Sequence, residues 1–117
     1  MFDGAHVILY SRDADADRAF IRDTLEFAGV DAGQGWLIFQ LPPAEIAVHP
    51  TDGDPVAEFY LMCRDIDALL VRLQEQGVTS SAVTDQGWGR LASIRLPSGA
   101  DLAIYEPQHP VAYDLPR

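Results

Sequence analysis

Ser11-Arg12-Asp13, an amphipathic stretch and Gly29-Val30 form a block that returns as Cys63-Arg64-Asp65, a second amphipathic stretch and Gly77-Val78. The correspondence continues downstream. Leu41-Pro42-Pro43 and Ile46-Ala47-Val48-His49-Pro50 come back as Leu96-Pro97-Ser98 and Leu102-Ala103-Ile104-Tyr105-Glu106-Pro107. Asp13 and Asp65 lie 52 positions apart, Ile46 and Leu102 56, a drift that loop insertions explain. A repeat of this length that mixes helical and strand patterns is a duplicated half-domain.

Within the first half, Ala5-His6-Val7-Ile8-Leu9-Tyr10 is β-branched and aromatic and predicts a buried strand. Asp13 is placed to cap a helix with Asp15 and Asp17 in its first turn and an apolar face through Ala16, Phe20, Thr24 and Phe27, flanked by Ile21 and Leu25. Gly29 is the expected left-handed helix terminator. Short strands follow at Val30, at Trp36 to Leu41 and, after the break at Pro42-Pro43, at Glu45 to His49. The first module, residues 1–52, is thus βαβββ.

The second module, residues 53–107, follows the turn chemistry of Thr51-Asp52-Gly53-Asp54-Pro55. Glu58 to Cys63 predicts a strand, and Asp65 caps a helix with Ile66, Leu69, Leu70 and Leu73 at i, i+3, i+4 and i+7. Gly77 ends that helix. Val78 to Val83 is expected as an edge strand, Gln86-Gly87-Trp88-Gly89 as a mobile turn, and Arg90 to Leu96 and Asp101 to Tyr105 as the closing strands. Residues 108–117, with Pro110 and Pro116, form an irregular tail. A ferredoxin-like sandwich is the competing architecture, but its βαβ repeat leaves the last strands of each half unexplained.

At 117 residues the chain fits a single domain able to bury a core without disulfides. Its formal net charge is −10 and it contains no lysine, which argues against nucleic acid or anionic membrane as a partner and against Schiff-base chemistry. Many of the acids, Asp13, Asp15, Asp17, Asp65 and Asp67 among them, sit where helices begin, and capping explains these. The lone Cys63, in an apolar strand, is expected to be an inert thiol in a reducing compartment. The amino-terminal stretch has no apolar run of signal-peptide or membrane-span length, so a soluble, cytoplasmic protein is expected.

Ala19-Phe20-Ile21-Arg22-Asp23-Thr24-Leu25-Glu26-Phe27 resembles the "FY-R-D-x-LGF" helix of the vicinal oxygen chelate superfamily, which includes glyoxalase I, bleomycin-resistance proteins and extradiol dioxygenases. Asp65 through Leu73 to Gly77-Val78 is similar to its second-module helix, and the resemblance covers about residues 5–107. It implies an α+β fold in which two tandem βαβββ modules form a curved, open-barrel-like mixed sheet. It also implies a metal position inside, built from the first and last strands of both modules. His6 and Glu58 match the first-strand positions, whereas the last-strand positions fall on Ala47 and Ala103, where a metal enzyme of the family presents carboxylates.

A divalent catalytic metal generally takes three protein ligands. His49, two residues beyond Ala47 on the same strand face, completes a candidate set of His6, His49 and Glu58, for zinc, nickel, manganese or iron. Without a metal, Glu58 and His6 are candidates for shared acid–base work, provided Glu58 is desolvated. The plain alternative for His6 is a neutral histidine bonded inside a half-polar cavity. Glu106 alternates away from Ala103 and is expected in solvent or at an interface. Trp36, Phe39, Tyr60, Trp88 and Tyr105 are candidates to line a small-molecule cleft, with Trp88 as a lid between two glycines, and ordinary core or interface packing is the alternative for each.

Because two of the four expected ligand positions are methyl groups, the favoured expectation is a bleomycin-resistance-like binding protein. Such a protein would sequester or recognise an aromatic or cationic compound without a cofactor. A metal-dependent lyase, isomerase or dioxygenase is one alternative; a metal-free acid–base enzyme is the other. Paired modules with open sheet edges, and the habits of the resembling family, lead to the expectation of a homodimer.

Overall fold

The computed structural model describes residues 4–116. Helix α1 spans Ala14–Asp23 and is followed by β1 (Gly29–Asp31), β2 (Leu37–Phe39), β3 (Tyr60–Met62), α2 (Ile66–Glu75), β4 (Thr84–Asp85), β5 (Gly89–Arg95) and β6 (Asp101–Pro107). The two helices begin alike, because each N-cap carboxylate accepts from the amide three residues on: Asp13 Oδ1 from Ala16 N at 3.2 Å, Asp65 Oδ1 from Ala68 N at 3.1 Å. No helix among the described residues is long and apolar enough to cross a membrane.

The second module is a complete βαβββ unit. Its sheet runs β3-β6-β5-β4, with β3 parallel to β6 and the other neighbours antiparallel. Alternation along β5 and β6 sends Ala92, Ile94, Leu102 and Ile104 to one face. There they meet Ile66, Leu70 and Leu73 of α2, with Val78 and Leu96, in a single buried cluster. Each buried isoleucine, leucine or valine there contributes about 1.5–3 kcal/mol of hydrophobic stabilisation. Gly77, at φ +82, supplies the left-handed turn that frees the chain from α2.

The first module shares the plan and realises less of it. β1 and β2 pair antiparallel, and Gln40 N extends the ladder to Ala28 O at 2.8 Å. The expected strands at 5–10 and 45–49 form no ladder, since neither finds a neighbouring strand within the chain. Val7, Ile8, Leu9, Tyr10, Ile46 and Val48 are all exposed. The whole is an α+β fold with mixed sheets and, among the described residues, no closed barrel.

Three local expectations are corrected. Gly29 does not end α1; Glu26 takes the left-handed conformation, at φ 62, while Gly29 sits in β1, where a Cβ would lie 2.8 Å from the Ile38 carbonyl oxygen. Residues 78–83 run beside β5 without becoming a regular strand, because the Ser81 hydroxyl takes the Ser93 amide in place of a ladder partner. Glu106 is not free in solvent: half-buried, it accepts from the Ile66 amide at the start of α2 at 3.1 Å and lies 3.9 Å from Arg90. Arg90 also pairs with Asp67 at 2.8 Å, and this guanidinium holds the Asp67 carboxyl below its usual range.

The modules are joined by a buried carboxylate. Asp17, 7% exposed, accepts from the Ser11 hydroxyl at 2.7 Å and from the Ser98 amide at 3.0 Å, so the first turn of α1 holds the β5–β6 turn. Phe20 and Leu25 pack against the second-module core beside this contact.

Candidate functional site

The face of the four-stranded sheet turned away from α2 is built from alternate residues of three strands. Register places Tyr60, Ala103 and Ser93 side by side across β3, β6 and β5, and Met62, Tyr105 and Leu91 in the next row. Residues two apart on a strand share a face, so these six form one surface whose middle, at Ala103 and Ser93, is shallow and whose flanks are aromatic.

Tyr105 organises the aromatic flank. Its ring meets those of Tyr60 and Trp88 edge to face, both at 5.4 Å between centroids, and lies 6.0 Å from the ring of His109. Such edge-to-face pairs bring the positive rim of one ring to the negative face of another. Tyr105 is consequently 8% exposed, whereas Trp88 is 43% exposed and Tyr60 intermediate. Desolvation raises the Tyr105 phenol above its ordinary pKa, with Glu45 and Tyr113 adding to the shift. The tail closes over this edge: the Tyr105 hydroxyl lies 3.3 Å from His109 Nε2, and Ala112 N donates to Glu45 Oε1 at 2.9 Å.

Glu58 stands at the rim of the same cluster. It is exposed, just ahead of β3, and accepts a hydrogen bond from the Tyr60 hydroxyl, which raises the Tyr60 phenol above its ordinary value. The burial that acid–base work by Glu58 would rely on is absent. His6 lies on the unpaired segment 5–10 and is exposed, as is His49. Among the described residues no three of His, Cys, Asp and Glu gather closely enough to hold a metal ion, so His6, His49 and Glu58 do not form a donor set within one chain. With methyl groups at Ala47 and Ala103, the described residues of a single chain do not present a donor set that fits a divalent metal.

Of the five aromatic candidates, the structure brings together Tyr60, Trp88 and Tyr105. Trp36 is elsewhere, 63% exposed, with the Arg18 guanidinium 4.6 Å above its ring. Phe39 packs by Gly29 in the β1–β2 hairpin. Trp88 is no free lid. Gln108 N donates to its carbonyl at 2.8 Å, Gln86 N to Gly89 O at 2.9 Å, and a Cβ on Gly89 would come within 3.0 Å of the Tyr105 ring. Close packing, not mobility, is the role of that glycine. His109 escaped sequence reading because it lies in the proline-rich tail, outside both repeats.

Cys63 is half-buried, its thiol donates weakly to Tyr105 O at 3.8 Å, and burial pushes it up to about 11, as suits an inert thiol. A groove of about 400 Å³ lies between α1 (Phe20, Thr24), the end of α2 and β5 (Arg95), and its lining shares no residue with the aromatic cluster.

No protein-family model and no curated protein sequence matches the chain. Solved structures do. TnmS3, an antibiotic binding protein from Streptomyces sp. CB03234, is 25% identical and superposes with a TM-score of 0.64 over 92% of this chain and 100% of its own. Lactoylglutathione lyase from Agrobacterium tumefaciens is 19% identical, with a TM-score of 0.64 over 89% of this chain and 92% of its own. A glyoxylase/bleomycin resistance protein/dioxygenase domain from Frankia sp. EAN1pec is 15% identical, with a TM-score of 0.63 over 92% and 99%.

Proposed function

We propose, for a chain with the fold of the glyoxalase/bleomycin-resistance/dioxygenase superfamily, that it binds a small aromatic or cationic compound. The proposed site is the open sheet face beside Tyr60, Trp88 and Tyr105. One observation carries the reading: two partly exposed rings, Trp88 and Tyr60, are held edge-on by a buried third, with the Glu58 carboxylate at the rim. Fixed rings give a planar ligand stacking surface at small entropic cost, and an adjacent carboxylate favours a cation there. The likeness to an antibiotic binding protein supports this reading. Tyr105 acts as a positioning residue, while Trp88 and Tyr60 make the contact.

The test uses Trp36→Phe protein, in which Trp88 is the sole tryptophan, titrated with cationic, neutral and anionic polycyclic aromatics. Saturable quenching of Trp88 is expected, strongest for the cations, with Glu58→Gln weakening cation binding by about 5–10-fold, the scale of a partly solvated charge contact. A flat response to all three classes overturns the reading.

A further inference from the structure

Burial alternates along the tail. His109, Val111 and Tyr113 are half-buried, while Gln108, Pro110, Ala112 and Asp114 are exposed, so one side of this segment lies on the molecule. What it lies on is Tyr105. The Tyr105 hydroxyl is 3.3 Å from His109 Nε2, and the His109 ring sits 6.0 Å from the Tyr105 ring at an angle of 36°. Glu45 and Tyr113 stand close enough to act on the same phenol.

The direction of the Tyr105–His109 bond is fixed by a neighbour. His109 Nδ1 lies 2.7 Å from the Pro110 carbonyl oxygen, which only accepts, so Nδ1 carries the proton of the neutral ring. Nε2 is left as the acceptor, and the Tyr105 hydroxyl donates to it. The aromatic face thus already holds a flat ring whose nitrogen takes the Tyr105 hydrogen bond.

This ring is weakly fastened. Gln108 N donates to the Trp88 carbonyl oxygen at 2.8 Å, but Pro110 has no amide with which to carry the ladder on. Beyond Gln108, the tail is bonded to the rest of the described chain through His109 on Tyr105 and the Ala112 amide on Glu45. None of the described tail residues enters the core cluster. A segment with so few apolar contacts opens at small cost.

We propose that His109 stands in for the ligand: a flat nitrogen heterocycle displaces residues 109–116 from Tyr105 and takes over the hydrogen bond of its hydroxyl through a ring nitrogen. This rests on the binding site proposed above and adds to it the chemistry of the bound ring and a strap that the ligand lifts. A cationic substituent on that ring suits the Glu58 carboxylate beside Tyr60.

The test follows the Trp88 indole N–H resonance of the full chain carrying Trp36→Phe. It is titrated with an aminomethylquinoline and the matching aminomethylnaphthalene, two cations that differ in one ring nitrogen. His109→Ala removes the competing ring and should tighten both about 5–10-fold, the worth of one hydrogen bond holding a two-state tail. Tyr105→Phe should lower the preference for the quinoline over the naphthalene by about 5-fold or more. Amide exchange at Ala112 and Leu115 should quicken when the quinoline binds, while exchange at Gln108 and along β5 and β6 does not. Affinity unchanged or weakened in His109→Ala, a preference untouched by Tyr105→Phe, or tail amides that slow on binding each overturn the inference and leave the site standing. Failure of both compounds to bind overturns the inference, and a flat response across all three charge classes overturns the site with it. If Tyr105→Phe fails to fold, His109→Ala and the wild-type exchange still decide.

Discussion

Two halves written on one pattern end in different states. The second buries ten apolar residues around α2 and a four-stranded sheet; in the first, the one buried residue among those described is a carboxylate, Asp17. Both have a capped helix of ten residues, and the caps are equivalent to within 0.1 Å. Local chemistry alone therefore does not finish a module. Helix starts are set by an aspartate and its neighbours, whereas a core needs every strand to have found a partner, and only the second half achieves that within the chain.

The sharpest way to break the comparison is to remove matched isoleucines. Ile94→Ala, at a fully buried site, should cost about 2–5 kcal/mol in denaturant unfolding. Ile38→Ala, 39% exposed on β2, should cost under about 1 kcal/mol. Equal losses would show that the two halves are packed alike.

The joint between them gives a smaller effect. Asp17→Ala leaves the Ser98 amide and the Ser11 hydroxyl without their acceptor and should cost about 1–3 kcal/mol. Asp13→Ala and Asp65→Ala should each cost about 1 kcal/mol, as lost caps do. Thermal melts that rank Asp17→Ala below both caps would mean that the carboxylate does not hold the modules together.

The smallest effect is a titration confined to the second half. The Tyr60 phenol is raised by its bond to Glu58, so the folded protein holds this proton more tightly than the unfolded chain. Its contribution to stability is complete below the ordinary tyrosine value of about 10 and is lost as pH rises through the folded value. Phenolate absorbance should show two late-titrating tyrosines, Tyr60 and Tyr105, of which only Tyr60 moves to lower pH in Glu58→Gln. No movement would place the shift on burial instead of the carboxylate.

Much of this was legible in the residues themselves. Asp13, Asp65 and Gly77 act within a few positions, so their roles follow from local chemistry, and the repeat revealed the fold because duplicated patterns need no knowledge of distant contacts. Of the five candidate aromatics, the rings of Tyr60, Trp88 and Tyr105 meet. What escaped was long-range. Asp17 looked like any first-turn acid, yet its partner is 81 positions away; Glu106 looked set for solvent or an interface, yet it bonds to Ile66, 40 positions away in the same chain. His109 sits outside the repeat, and Trp36 and Phe39 fell away because aromatic composition says nothing of which sheet will carry the ring. Residue type at 5–10 and 45–49 measures fitness for a ladder and not the presence of a neighbour.

The alternation along β6 has a consequence for how such a protein changes over time. Leu102 and Ile104 serve the core and Glu106 the start of α2, while Ala103 and Tyr105 turn the other way. Replacements at Ala103, and at Ser93 and Leu91 opposite, reshape the face proposed above for binding while leaving the packed layer behind it untouched. One backbone thus carries two nearly independent records, and selection is able to rewrite that outer face without renegotiating the stability of the sheet.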